Sequence, residues 1–298
     1  MSFAGEIPSD WTALDWRGLG RWMSEIEAGT SLGRRACRVL QEREWPGVNL
    51  GVTGPPGCGK STLVGALARE WTRRGEKVAV LAIDPSSARG GGALLGDRVR
   101  MMEDSIDEKI FIRSLATRGQ AGGMVLAVAD LARLLRAAGY RRVLIETVGV
   151  GQNELAVAAQ ADATVVVQAP GLGDDIQAMK HGVLEIADVL VVNKADLPGA
   201  AQLAGELASW TGVPPERILQ TNALKGEGVA ALADALASAP ARSGTRRREE
   251  IRVIALSLFS GELDRRLNEG PLPAGDSWTA ASELLAEWRR VPRGENNT

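Results

Sequence analysis

Gly54-Pro55-Pro56-Gly57-Cys58-Gly59-Lys60-Ser61 is the stretch on which the fold turns. It fits G-x-x-x-x-G-K-[ST], the spacing of a loop that cradles phosphate. Glycines let backbone N–H groups converge on phosphate oxygens, and the N-terminus of the following helix adds its dipole. On this reading residues Gly54, Pro55, Pro56, Gly57, Cys58, Gly59 and Thr62 belong to the nucleotide-binding set. Lys60 reaches the β- and γ-phosphates, and the Ser61 hydroxyl takes a Mg²⁺ position. Cys58 fills a variable position of the loop and is not read as a nucleophile. The plainer reading, a glycine turn with an exposed lysine, is disfavoured by context. An apolar run, Val48–Val52, precedes the motif, and a helical pattern starts near Lys60.

Outward from that loop, short β-rich runs alternate with helical stretches. Strands are expected at Val48–Val52, Val78–Ile83, Ile110–Ile112, Val143–Glu146, Thr164–Gln168, Val189–Val192 and Ile218–Gln220. Helices are expected at about 59–74, 123–138, 174–186, 200–210 and 226–238. Such alternation implies crossover units, hence an α/β fold with a mostly parallel sheet flanked by helices. Near-continuous apolar runs such as Val189-Leu190-Val191-Val192 fit strands buried on both faces. Before Trp45-Pro46-Gly47, Leu19, Trp22, Ile26 and then Ala36, Val39, Leu40 recur at helical spacing. After Ala239-Pro240, Ile251, Ile254, Leu258, Leu263 and Leu267 form another apolar stripe behind the Arg246-Arg247-Arg248 run. The expected organisation is a helical extension over 1–44, a nucleotide domain over 45–240 and a helical arm over 241–298. A stripe on a segment outside the nucleotide domain needs a surface to pack on, so a homodimer is expected, with folding back onto its own domain as the alternative.

Composition narrows the chemistry. The 298 residues are 45% hydrophobic and 24% charged, enough for a sizeable core, with a formal net charge of −2. A nucleic-acid binder usually shows a basic excess, so no nucleic-acid partner is expected. No apolar run approaches the ~18 residues of a membrane span, and the N-terminus shows no signal-peptide pattern. The two cysteines, Cys37 and Cys58, lack C-x-x-C spacing, which suits a reduced cytoplasm. His181 is the single histidine, so multi-histidine metal sites are excluded.

Asn193-Lys194-Ala195-Asp196 follows the strand Val189–Val192 and points to guanine. Guanine offers two adjacent donors, N1–H and the 2-amino group, and one carboxylate accepts both. Adenine would set a lone pair against Asp196, and such mismatches discriminate strongly. Asn193 would brace the loop and Lys194 lie over the base face. Thr221-Asn222-Ala223-Leu224-Lys225-Gly226, after the next strand, reads as a further guanine-contacting loop through Asn222, Ala223 and Leu224. In it the Ala223 N–H would meet guanine O6. Asp84 and Glu146 end strands and Asp97 sits in the glycine-rich stretch after the second. Mg²⁺ commonly keeps waters, so one or two carboxylates beside Ser61 suffice. Glu146-Thr147-Val148-Gly149 is a variant of the D-x-x-G element that senses the γ-phosphate, with Gly149 at the phosphate.

These motifs, in order and spacing, resemble the methylmalonyl-CoA mutase-associated GTPases of the MeaB/ArgK type. The matching stretches are Gly51–Thr62, Leu81–Met101, Phe111–Gly123, Glu146–Glu154, Pro170–Lys180 and Val191–Asp196. The resemblance implies GTP/GDP as ligand, Lys60 at phosphate, and Ser61, Asp84, Asp97 and Glu146 around Mg²⁺. It implies that Asp174–Lys180, with Asp174, Asp175, Gln177 and Lys180, signals nucleotide state to a partner. It also implies a homodimer, built through the C-terminal arm, that gates adenosylcobalamin loading and protects a B12-dependent acyl-CoA mutase. Two positions depart from the family pattern: Gln120 stands where many relatives have His, and Asn222 where Ser is common. The alternatives are an ATP-dependent kinase acting on a transport protein, a nickel-insertion GTPase, and a nucleotide-gated binding module with negligible turnover. Val150 follows Gly149 where many GTPases carry a water-orienting glutamine, with Gln152 further on. Slow hydrolysis by the isolated chain is therefore expected, with Arg89, Arg98, Arg113 and Arg118 as arginines in or near mobile loops.

Overall fold

The computed structural model describes residues 6–84, 109–116, 121–147, 160–172, 184 and 187–237. Asp97, Gly149, the Asp174–Lys180 segment, the expected arm over 241–298, and Arg89, Arg98, Arg118, Gln120, Val150 and Gln152 lie outside the described residues. Within them, seven strands form one sheet: β1 (Val48–Thr53), β2 (Val78–Asp84), β3 (Ile110–Ala116), β4 (Arg142–Thr147), β5 (Ala163–Gln168), β6 (Val189–Val192) and β7 (Ile218–Gln220). Their order is β3-β2-β4-β1-β5-β6-β7 and every pairing is parallel. From β1 the chain runs out to β2 and β3, returns to β4, and then crosses to β5 on the other side. Ligands in open α/β sheets bind outside the carboxyl ends of strands where the order reverses in this way.

Helices α1 (Trp16–Glu27), α2 (Ser31–Gln41) and α4 (Ala121–Ala137) cover one face of the β2–β4 half. Between α2 and α4 in the chain, α3 (Lys60–Arg73) lies on the opposite face with α6 (Val229–Ala237), and α5 (Ala200–Trp210) covers β5 and β6. The alternation along each strand explains the layers. Leu81, Ile83, Val143 and Ile145 meet Leu19, Trp22, Met23 and Leu40, while Val80, Leu144, Val52 and Val165 meet Leu63, Leu67 and Trp71. The N-terminal helices are thus part of the main core. Asp15 caps α1 and Thr30 caps α2, each accepting from the amide three residues on.

Most boundaries fall within two residues of the sequence expectation, and two differ by more. β3 runs to Ala116, four residues past Ile112, although Arg113-Ser114 breaks the apolar pattern. The reason is tertiary: Arg113 donates to the Gly20 carbonyl, to Ser24 Oγ and, at 2.7 Å, to Glu27, so α1 satisfies this edge-strand side chain. That engagement also removes Arg113 from the arginines free to reach a phosphate. The last helix starts at Val229 rather than 226. Gly226 and Gly228 both have φ +75°, and the Asn222–Glu227 bridge closes a tight turn first. A Cβ at Gly228 would collide with the Gln220 carbonyl.

Candidate nucleotide site

The loop 54–59 leaves β1 and enters α3. Gly54 starts it at φ +145°, pressed so closely on the Val167 carbonyl of β5 that no Cβ fits. Gly57 and Gly59 follow at φ +78° and +91°, the left-handed region that glycine enters freely. Gly59 is also the N-cap of α3 and supplies no side-chain cap, so the first-turn amides of α3 face the loop without one. Lys60 is 7% exposed, its ammonium donating to the Gly54 carbonyl at 2.7 Å and the Pro55 carbonyl at 2.8 Å. Among the described residues this buried cation is held by carbonyls alone, and a phosphate would bring it a counter-charge. Cys58 is buried among the apolar side chains under α3. Burial pushes its thiol up, against the pull of the Lys60 cation, which suits a filler and not a nucleophile.

The loops after β6 and β7 are tied to this one. Asn193 is buried; its amide donates to the Cys58 carbonyl at 3.0 Å, while its Oδ1 accepts from Thr221 Oγ1 at 3.0 Å and Ala223 N at 3.1 Å. Lys194 adopts φ +57° and donates to the Gly57 carbonyl at 2.6 Å. The Ala223 N–H expected to meet a guanine oxygen therefore already has an acceptor, and a base oxygen there would share it. Asn222 shapes the turn: its Oδ1 accepts from Lys225 N at 3.3 Å, and Leu224 projects at 87% exposed. Asp196 is exposed, directly after Ala195, whose N–H is held by the Thr221 carbonyl at 2.9 Å. Thr221 is a brace that motif reading left out of the site; its signal was a polar residue at a strand end.

Glu146, 2% exposed, accepts from Ser61 Oγ at 2.5 Å. Two of the four expected metal-site residues are thereby in contact, from β4 and α3. Asp84 is placed only by its backbone, at the carboxyl end of β2 in register with Ala116. Among the described residues no group of three or more His, Cys, Asp or Glu converges on one point. The oxygen-only pair at Ser61 and Glu146 fits a hard cation such as Mg²⁺, which retains waters for its other positions.

The comparisons with known proteins point to one family. A sequence model of the family described as methylmalonyl-CoA mutase-associated GTPase MeaB matches residues 19–258. A Pyrococcus abyssi protein provisionally named a GTPase is 39% identical over 277 residues, covering 86% of this chain and 85% of its own length. The mouse mitochondrial methylmalonic aciduria type A homolog is 38% identical over 63% of this chain and 48% of its own. Escherichia coli GTPase ArgK is 47% identical over 50% of this chain and 45% of its own. Among solved structures, one titled LAO/AO transport system kinase superposes with a TM-score of 0.65 at 25% identity, covering 95% of this chain and 91% of that one.

Proposed function

The chain belongs to the methylmalonyl-CoA mutase-associated GTPase (MeaB) family, and from that premise we propose a GTP-hydrolysing switch that gates cofactor loading of an acyl-CoA mutase. One observation carries the nucleotide part of this reading: Asn193 joins the base-reading loops to the phosphate loop by hydrogen bonds in both directions. A purine held at Asp196 then has its phosphates delivered to the α3 N-terminus and Lys60. The Lys60 ammonium and the α3 amides neutralise phosphate charge, and most catalysis of phosphoryl transfer is of this positioning and electrostatic kind. Ser61 and Glu146, with Asp84 and Asp97, would hold Mg²⁺, which would supply neutralising charge to the nucleotide phosphates. Asp196 carries the preference for guanine over adenine, which argues against the kinase reading.

The partner in this proposal is an adenosylcobalamin-dependent acyl-CoA mutase, supported by the family description and by the name of the mouse relative. Asp174, Asp175, Gln177 and Lys180 would report nucleotide state to it, and the 241–298 segment would pair two copies. No helix among the described residues is long and apolar enough to cross a membrane. The test is steady-state GTP turnover by the chain alone and with saturating B12-dependent mutases. Slow turnover that one mutase stimulates saturably is the expected result. Fast turnover indifferent to every mutase contradicts the gating role, and ATP turnover matching GTP contradicts the guanine reading.

A further inference from the structure

Thr53 and Thr147 are the last residues of β1 and β4, each 1% exposed, and Thr147 Oγ1 donates to Thr53 Oγ1 at 3.0 Å. The register of these two strands ends one residue earlier, at Val52 and Glu146. Beyond it each backbone pairs outward, Thr53 with Val166 of β5 and Thr147 with Ile83 of β2. The hydroxyl pair therefore spans the β1–β4 seam one residue past its last register pair. Thr53 immediately precedes Gly54, and Thr147 immediately follows Glu146.

Side chains alternate across a strand, so the two threonines lie on the face opposite Val52, which packs under α3. The Ser61–Glu146 contact grips the seam from the α3 side, and the threonine pair grips it from behind. Valine has nearly the shape of threonine and would fill the same volume without a buried hydroxyl that needs a partner. A hydroxyl pair at this position adds direction and distance to the packing. We infer that Thr53 and Thr147 form a positioning clasp that holds Glu146 in reach of Ser61 and thereby sets the affinity of the site for its divalent cation. This rests on the Mg²⁺–nucleotide reading proposed above.

The experiment uses the full chain, with Thr147→Val, Thr53→Val, the double variant and Thr147→Ser. Binding of a fluorescent GDP analogue is titrated with Mg²⁺ and repeated in EDTA, with thermal unfolding run in parallel. In Thr147→Val the Mg²⁺ concentration at half-effect should rise about 3- to 10-fold, the scale of a lost supporting hydrogen bond. Affinity in EDTA should stay as in wild type. Thr147→Ser keeps the hydroxyl and should restore the wild-type Mg²⁺ requirement. The double variant should be no worse than either single one, because one bond is lost in all three. Three results overturn the clasp: an unchanged Mg²⁺ requirement in a folded Thr147→Val, an equal loss in EDTA, or additive effects in the double variant. Failure of the underlying reading looks different, since wild type itself would then bind the guanine nucleotide without any response to Mg²⁺.

Discussion

Asn193 illustrates how much of the site hangs on single side chains. Removing its amide in Asn193→Ala frees the Cys58 carbonyl and strands the Thr221 hydroxyl and Ala223 N–H inside the protein. Unpaired buried groups cost about 1–3 kcal/mol, so urea unfolding should show a loss of that size. Because Asn193 also braces the phosphate loop, GTP and ATP should both bind worse in that variant. Asp196→Asn, at an exposed position, should change base preference and leave the unfolding midpoint alone. Gly59→Ala attacks the same junction from the other side: at φ +91° the new Cβ meets the Asn193 amide. It should abolish detectable nucleotide binding while the far-ultraviolet circular dichroism of the sheet persists. The cysteines supply an independent check. Burial, with the Asp130 carboxylate, pushes Cys37 up to about 12 from 9.0, and burial raises Cys58 as well. Thiolate is then scarce at pH 8, so both should alkylate far more slowly in the native chain than in urea. Rapid modification of native Cys58 would contradict its packing under α3.

At the scale of elements, the reading from sequence succeeded where periodicity and motif agreed. β6 came through with its ends intact because Val189–Val192 is apolar throughout and the N-K-x-D motif marks where it stops. The phosphate loop was legible for the same reason, since its spacing states both the strand before and the helix after. β3 was cut short because Arg113 looks like a loop residue until α1 is placed beside it. The start of α6 was misplaced because Gly226 and Gly228 act through positive φ, which composition alone does not locate. The mutual bracing of the loops, Lys194 on Gly57 and Asn193 on Cys58, joins residues more than a hundred positions apart and leaves no periodic trace. The α1–β3 contact gives its own prediction. The Arg113–Glu27 pair is about a quarter exposed on each side, and solvent screening limits such pairs to about 0–1 kcal/mol. Glu27→Gln should therefore cost no more than that in chemical denaturation; a larger loss would mean that the pair anchors the whole N-terminal hairpin.

For the whole molecule, the helices before Trp45 complete one face of the sheet. Leu19, Trp22, Met23, Ile26, Ala36 and Leu40 share a core with Leu81, Ile83, Val143 and Ile145. Burying a large apolar side chain contributes about 1.5–3 kcal/mol, so losing the five large ones in this set removes an amount comparable to the whole ~5–15 kcal/mol that a domain has in total. A chain begun at Trp45 should aggregate or fail to unfold cooperatively, although it keeps every nucleotide motif; a stable monodisperse product would refute the shared core. The central claim, that the carboxyl edge of this sheet selects a guanine nucleotide through Asp196, is tested most directly by competition. A bound fluorescent GDP analogue is displaced by GTP, ATP and XTP, on wild type and on Asp196→Asn. GTP should outcompete ATP by at least ~100-fold on wild type, and Asp196→Asn should favour XTP over GTP with Lys60 and the phosphate loop untouched. Equal displacement by ATP and GTP on wild type, or an Asp196→Asn variant that keeps its preference for GTP, would contradict the account.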